Sequence, residues 1–125
     1  MWSGVDGVYQ SVAHGGEGDD LVLGAAGNDI INDLSGLNVL NGGPGDDVIN
    51  GGSDDDTIYG DGSLTQSGND TITGGGGVDL IVSFAGDDII DTSGDEEIDV
   101  VNAGPHNEGD ACTFDQDDRV FLCNP

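Results

Sequence analysis

The sequence predicts an all-β solenoid in which short parallel strands stack coil upon coil. Two observations predict this fold. Residues 15–91 read in nine-residue units, and each unit joins a turn rich in Gly and Asp to a three-residue apolar strand. One unit is too small to bury its apolar side chains, so neighbouring units must stack. Two units complete one coil, which places residue i over residue i+18, and the eight units give about four coils.

The repeat keeps its phase along the whole stretch, across units 15–23, 24–32, 33–41, 42–50, 51–59, 60–73, 74–82 and 83–91. The sixth position is always Asp or Asn, namely Asp20, Asp29, Asn38, Asp47, Asp56, Asp70, Asp79 and Asp88. The eighth position is always aliphatic, namely Val22, Ile31, Leu40, Ile49, Ile58, Ile72, Ile81 and Ile90. Because successive strand side chains point to opposite faces, the eighth positions should form the core and the seventh should face outward. An insertion at 62–66 should bulge from one edge without shifting this phase, as a tolerated insertion; a binding loop is the alternative.

The segments that flank the repeat are expected to form caps, because the open ends of a solenoid need covers. Residues 1–14 would form the N-terminal cap with apolar residues that include Trp2 and Tyr9, although these two rings could instead stack on a sugar. Residues 92–125 would form the C-terminal cap and keep a strand around Val100.

Two cysteines, Cys112 and Cys123, lie close together in the C-terminal segment. A disulfide between them would fit an oxidising, extracellular setting. Two free thiols in a cytosolic protein are the alternative.

The charge balance is extreme. The chain of 125 residues has 26 acidic residues, one basic residue and a formal net charge of −25. Because Arg119 is the only Lys or Arg, binding to nucleic-acid phosphates or to anionic lipid has no electrostatic basis. No stretch approaches the about 18 apolar residues of a membrane span, so membrane insertion is not expected. Such a chain attracts cations, and its excess of Asp over Glu is typical of carboxylates that bond or ligate inside turns.

Units such as GGEGDDLVL and GGPGDDVIN match the nonapeptide G-G-x-G-x-D-x-U-x, and residues 15–91 resemble the hemolysin-type calcium-binding (RTX) repeat family. The resemblance implies a right-handed parallel β-roll. It also implies that calcium lies between successive turns on both edges, held by the sixth-position Asp and by turn carbonyls. The C-terminal segment is similar to the Cys-paired ends of some secreted members.

The residues themselves also favour calcium. Calcium takes six to eight hard oxygens from carboxylates and carbonyls, and stacked turns offer a carboxylate from each of two coils together with backbone carbonyls opened by Gly. Two carboxylates about 5 Å apart repel by about 3 kcal/mol at an effective dielectric of about 20, so the metal-free roll should be marginal or unfolded. We therefore expect about four or more calcium ions, bound as the chain folds. The alternative for each Asp is that it only caps a turn by accepting backbone N–H groups.

The even-numbered units place four acids on one edge, the even edge: Asp29, Asp47, Asp70 and Asp88. The same units keep Gly at the fourth position, as Gly27, Gly45, Gly68 and Gly86. They also keep a polar fifth residue, as Asn28, Asp46, Asn69 and Asp87. We expect three calcium sites on this edge, at the pairs Asp29/Asp47, Asp47/Asp70 and Asp70/Asp88, with these glycines and fifth-position residues among the metal-site residues.

The odd-numbered units place Asp20, Asn38, Asp56 and Asp79 on the other edge, the odd edge. Asn38 can offer only a neutral carbonyl, so the sites that it shares with Asp20 and Asp56 should be weak or empty. The Asp56/Asp79 pair should form a fourth site.

These observations favour a secreted or cell-surface calcium-binding module that is not an enzyme. It would fold where calcium is millimolar and act as a structural, adhesive or interaction unit toward a protein or surface. The chain has no H-E-x-x-H, no G-x-S-x-G and no Lys, and its two histidines, His14 and His106, are far apart in sequence, which argues against a catalytic site in this chain. One alternative is therefore an accessory domain of a secreted enzyme whose catalytic part is elsewhere. Another is an ice- or mineral-binding solenoid, which the irregular spacing of Thr along the outward positions disfavours.

Overall fold

A computed structural model describes residues 2–3, 11–105 and 109–123. These residues form thirteen short strands and no helix, and therefore no helix that could cross a membrane. The strands are β1 Trp2–Ser3, β2 Val12–His14, β3 Leu21–Leu23, β4 Ile30–Asn32, β5 Val39–Asn41, β6 Val48–Gly52, β7 Thr57–Tyr59, β8 Thr71–Gly75, β9 Leu80–Val82, β10 Ile89–Asp91, β11 Val100–Asn102, β12 Ala111–Thr113 and β13 Arg119–Phe121.

The strands alternate between two parallel sheets, which confirms the all-β solenoid. The odd-numbered strands form a seven-stranded sheet in the order β1-β3-β5-β7-β9-β11-β13, and the even-numbered strands form a six-stranded sheet in the order β2-β4-β6-β8-β10-β12. The chain crosses from one sheet to the other at every turn. The even edge consists of the turns that lead into β4, β6, β8 and β10, and the odd edge consists of those that lead into β3, β5, β7 and β9.

The register follows the predicted rise of one coil per eighteen residues. Leu40 pairs with Ile58 in the seven-stranded sheet, and Ile31 pairs with Ile49 in the six-stranded sheet. The insertion changes the spacing but not the phase, because Ile49 pairs with Ile72, which lies twenty-three residues further along the chain. The inserted residues form a turn on the even edge, and the side chain of Leu64 is 61 % exposed.

The core is the predicted row of eighth-position side chains. All eight are buried, with an exposed fraction of 1 % or less. Ala13, Val101 and Ala103 extend the core toward both ends, and Cys112, Val120 and Cys123 pack against it. The seventh-position side chains face outward, as Val48 and Ile89 illustrate.

The number of coils differs from the prediction. Strands β1 and β2 at one end and β11 to β13 at the other continue the same two sheets, so the solenoid has about six coils rather than four. In the C-terminal segment the spacing between equivalent acids lengthens to eleven residues, from Asp88 to Asp99 and on to Asp110. The nine-residue period is lost in this segment, but the parallel pairing of the strands continues.

A disulfide joins Cys112 to Cys123, with the two Cα atoms 6.3 Å apart. Because Cys112 lies in β12 and Cys123 follows β13, the bond ties together the last strands of the two sheets. The free-thiol alternative does not hold for this structure. The ring-stacking alternative for Trp2 and Tyr9, and the placement of His106, fall outside the residues whose side chains are described.

Adjacent residues in β10 test the assignment of inner and outer faces. Replacing the fully buried Ile90 with Ala should lower the free energy of unfolding of the calcium-loaded protein by about 2–5 kcal/mol, because the truncation leaves a cavity. The matched control is Ile89→Ala, whose side chain is 55 % exposed and should cost less than about 1 kcal/mol. Denaturant unfolding followed by circular dichroism measures both, and equal losses would contradict the assignment.

Candidate metal centre

The sixth-position side chains form two hydrogen-bonded rows, one along each edge. On the even edge the backbone N–H of Asp29 donates to Asp47 Oδ1 at 2.7 Å, and that of Asp70 donates to Asp88 Oδ1 at 2.9 Å. On the odd edge the N–H of Asp56 donates to Asp79 Oδ1 at 2.8 Å. Each carboxylate thus caps the equivalent residue of the preceding coil, and this capping uses one of its two oxygens.

The second oxygen of these carboxylates is buried and, within the described residues, accepts no hydrogen bond. This holds for the Oδ2 atoms of Asp29, Asp47, Asp56, Asp70, Asp79 and Asp88, and also for that of Asp99 beyond the repeat. Buried polar atoms normally have a partner, and a buried anionic oxygen without one is costly. Turn capping therefore uses one oxygen of each carboxylate, and the other oxygen is left for a cation or a proton.

In five units the second oxygen faces a space beside the glycine that begins the unit, which we call the first-position cradle. A Cβ atom added to Gly51 would lie 2.6 Å from Asp56 Oδ2 and 2.5 Å from the Gly74 carbonyl oxygen of the next coil. No side chain fits there, and the space adjoins a carboxylate oxygen and a carbonyl oxygen, the two kinds of donor that calcium takes. The same arrangement of a sixth-position Oδ2 beside the first glycine recurs at Gly24, Gly42, Gly60 and Gly74.

The predicted fourth-position glycines allow the even-edge turns to stack closely. A Cβ atom on Gly45, Gly68 or Gly86 would collide with the carbonyl oxygen of the fourth residue in the coil before it. Gly45 and Gly86 also have positive φ angles of 136° and 154°, which side chains rarely adopt. The fourth-position glycines Gly27, Gly45 and Gly68 therefore present a row of carbonyl oxygens along the even edge.

The predicted fifth-position partners lie on the solvent side of the turns. Asn28, Asp46, Asn69 and Asp87 are all exposed. Their side chains bond backbone instead, since the N–H of Asp46 donates to Asn28 Oδ1 at 3.1 Å and the N–H of Asp87 donates to Asn69 Oδ1 at 2.9 Å. The structure thus separates them from the cradles that the sixth-position acids face.

Around Asn38 on the odd edge, the polar side chains are hydrogen-bonded to one another and to backbone without a cation. Asn38 Nδ2 donates to Asp33 Oδ2 at 2.7 Å and to the Gly36 carbonyl at 2.9 Å. Asp33 Oδ1 accepts the N–H of Gly16 at 2.8 Å, and the Asp33 carboxyl group fills the cradle beside Gly15. The Asn38 side-chain amide therefore supplies hydrogen bonds at a place in the row where other units leave a carboxylate oxygen without a partner.

Several buried acids were missed by the sequence analysis. Asp33 and Asp61 stand at first and second positions of their units, where the pattern calls for Gly, and no sequence signal marks them. Asp99, Asp110 and Asp118 continue the two rows beyond the repeat, since the N–H groups of Asp79, Asp88 and Asp99 donate to them. A signal for these three exists, because each acid stands two residues before a residue that packs in or against the core: Val101, Cys112 and Val120.

A family model of the RTX calcium-binding nonapeptide repeat, in four copies, matches residues 11–32, 34–63 and 65–96. The chain belongs to this family. No curated protein and no solved structure shows a significant match to it. The matched residues include every sixth-position acid of the two rows from Asp20 to Asp88.

RTX repeats bind Ca²⁺, and the donors of this chain fit that ion. Among the described residues, no three side chains of His, Cys, Asp or Glu form a metal-binding cluster. The donors are therefore not a preformed cluster of side chains, and a site must take most of its ligands from backbone carbonyls beside the carboxylates, a donor set made only of hard oxygens. Calcium prefers such donors, whereas zinc and copper prefer nitrogen and sulfur.

Burial raises the pKa of four sixth-position acids well above the ordinary value of 3.8. The pKa of Asp70 rises to about 8, those of Asp47 and Asp79 to about 7, and that of Asp56 to about 6. Desolvation is the largest cause in each case, and neighbouring carboxylates add to it. Without metal, the stacked turns therefore favour protonated acids near neutral pH.

Acid should partly replace calcium. The pKa values of these acids are higher in the folded chain than in the unfolded chain, so protonation stabilises the fold. This stabilisation is fully present below about pH 4 and is lost as the pH rises through about 6 to 8. In a calcium chelator, the β-sheet signal in far-ultraviolet circular dichroism should be stronger at about pH 5 than at about pH 8. A metal-free signal that stays constant or grows over this rise in pH would contradict the prediction.

The first-position cradle can be filled by a methyl group. Gly51→Ala should remove one calcium site and lower stability by about 1–3 kcal/mol, because its Cβ would crowd Asp56 Oδ2. The matched control is Gly76→Ala, where the nearest atom would lie 3.7 Å away. Isothermal titration calorimetry counts the sites in each variant. An unchanged count for Gly51→Ala would show that the cradle holds no cation.

Proposed function

We propose that the chain is an extracellular calcium-binding β-roll module that folds as it binds Ca²⁺ and acts as a structural, adhesive or interaction unit. The observation that carries this proposal is the pair of rows in which buried carboxylate oxygens face glycine cradles with no hydrogen-bond partner. A cation between successive coils would supply the missing partner and cancel the repulsion within each row.

The cradles support the four expected sites. On the even edge, the cradles of Gly24, Gly42 and Gly60 lie beside Asp29, Asp47 and Asp70, the first acids of the three expected pairs. On the odd edge, the Gly51 cradle lies beside Asp56, the first acid of the fourth pair. Asn38 and Asp33 bond each other on that edge, which supports weak or empty sites between Asn38 and its neighbours Asp20 and Asp56.

Coupled binding and folding would suit export. The chain would stay unfolded where calcium is scarce and would fold where calcium is millimolar, since binding free energy becomes folding free energy. The Cys112–Cys123 disulfide supports an oxidising, extracellular destination. The alternative function is that of an accessory calcium-binding domain in a secreted enzyme.

Ice binding gains no support from the outer faces. Thr57 lies in the seven-stranded sheet and Thr71 in the six-stranded sheet, so these two outward seventh-position threonines do not share a row. The outward seventh positions that flank them include Val39, Val48 and Leu80.

A calcium titration tests the proposed function. Calorimetry should count about four or more Ca²⁺ ions, and circular dichroism should gain its β-sheet signal over the same calcium range, because the sites and the coils form together. Mg²⁺ should produce neither change at equal concentration, since it demands a rigid octahedron and releases its waters reluctantly.

Matched variants locate the binding. Asp47→Asn keeps the oxygen that accepts the Asp29 N–H but loses the charge, and it should lose one or two ions. The control Asp55→Asn removes the same charge at an exposed odd-edge residue, whose Oδ1 accepts the Val78 N–H, and should keep the full count. A full β-sheet signal in excess chelator at neutral pH would refute folding on binding. Equal counts for the two variants would refute the site.

A further inference from the structure

Asp61 is a buried acid that the repeat pattern does not call for. It occupies the second position of unit 60–73, where Gly16, Gly43, Gly52 and Gly75 occupy the same position in other units. Its side chain is fully buried, with an exposed fraction of 0 %. It leads directly into the insertion at 62–66, which distinguishes this turn from every other turn of the repeat.

Only one oxygen of Asp61 has a structural use. Asp61 Oδ2 accepts the backbone N–H of Gly68 at 3.0 Å, which closes the inserted loop. Asp61 Oδ1 is buried and, among the described residues, has no hydrogen-bond partner. A residue needed only to cap the loop could do so as a neutral Asn, so capping does not explain a buried carboxylate here.

The surroundings of Asp61 are those of the even-edge rows. The preceding residue, Gly60, forms the cradle that faces Asp70 Oδ2, and the Ser83 carbonyl oxygen would lie 2.9 Å from a Cβ atom placed there. Asp61 lies close enough to Asp47 and Asp70 to raise the pKa of both, and Asp88 in turn raises the pKa of Asp61. Because the Gly60 cradle adjoins both Asp70 Oδ2 and the Ser83 carbonyl oxygen of the next coil, its neighbour Asp61 lies beside the gap between the turns that carry Asp70 and Asp88.

The next coil departs from the pattern at this same gap. Its unit begins with Ser83 rather than Gly, and Ser83 is fully buried. The Ser83 hydroxyl donates to the Ala103 carbonyl oxygen at 3.2 Å. The unit that lacks a first glycine therefore faces the unit that carries an additional acid.

We propose that Asp61 is a calcium ligand from outside the repeat pattern, which the insertion places at the site between Asp70 and Asp88. This inference rests on the proposed function and names one more ligand for one of its sites. An added carboxylate raises the charge that faces the ion, and ligand charge is a main determinant of calcium affinity. The Asp70/Asp88 site is then the tightest on the even edge.

The test compares Asp61→Asn with Asp117→Asn in the full chain, by competition with a chromophoric calcium chelator at pH about 7.5. Asp61→Asn keeps an oxygen for the Gly68 N–H but loses the charge. It should weaken the tightest site at least about tenfold or remove that site from the count. Asp117 is an exposed acid near the C-terminus, and its variant should titrate like the unaltered chain.

A second variant and a fold check make the result decisive. Asp61→Gly installs the residue of the repeat pattern and should show the same loss of affinity, with the β-sheet signal at saturating calcium intact. An unaltered affinity and count in Asp61→Asn would overturn the inference and leave Asp61 as a loop cap. If Asp61→Asn fails to fold, an unaltered count in Asp61→Gly overturns it equally. Failure of the unaltered chain to bind calcium would instead refute the proposed function.

Discussion

Burial of carboxylates without a counter-charge is the constraint on which the rest of the structure depends. Each coil buries an Asp side chain at its edge, where one oxygen bonds backbone and the other does not. The chain has one Lys or Arg, and that residue, Arg119, is exposed in the last strand. The balancing charge must therefore come from outside, as protons or as calcium. The same side chains that repel when ionised and empty become the links between coils once a cation lies between them.

The positions of the glycines in each unit follow from this burial of carboxylates. First-position glycines leave room beside each carboxylate, and fourth-position glycines let consecutive turns approach closely enough to share an ion. Some acids are satisfied within the chain: Asp33 accepts from Asn38, and Thr92 Oγ1 donates to Asp118 Oδ2 at 2.9 Å. The roll thus combines rungs that need a cation with rungs that do not.

The sequence was sufficient to predict the strands, the register and the core, because a period of nine with an aliphatic eighth residue has only one stacked arrangement that buries every repeat. It did not predict the additional coils, since the Gly-rich turns vanish after residue 91 while pairing through residues such as Val101 persists. It also missed Asp33 and Asp61, whose burial depends on packing between coils. The fifth-position acids, such as Asp46, were grouped with the sixth because a sequence does not tell which side of a turn faces inward.

Small-angle X-ray scattering with and without calcium tests most directly whether the coils depend on an external cation. At pH about 7.5 with saturating calcium, the 125-residue chain should have a radius of gyration of about 14 Å, as a compact domain of this length does. In excess chelator the value should rise toward about 36 Å, that of an unfolded chain. A radius near 14 Å in both conditions would contradict the account, because the buried carboxylates would then tolerate one another without any ion.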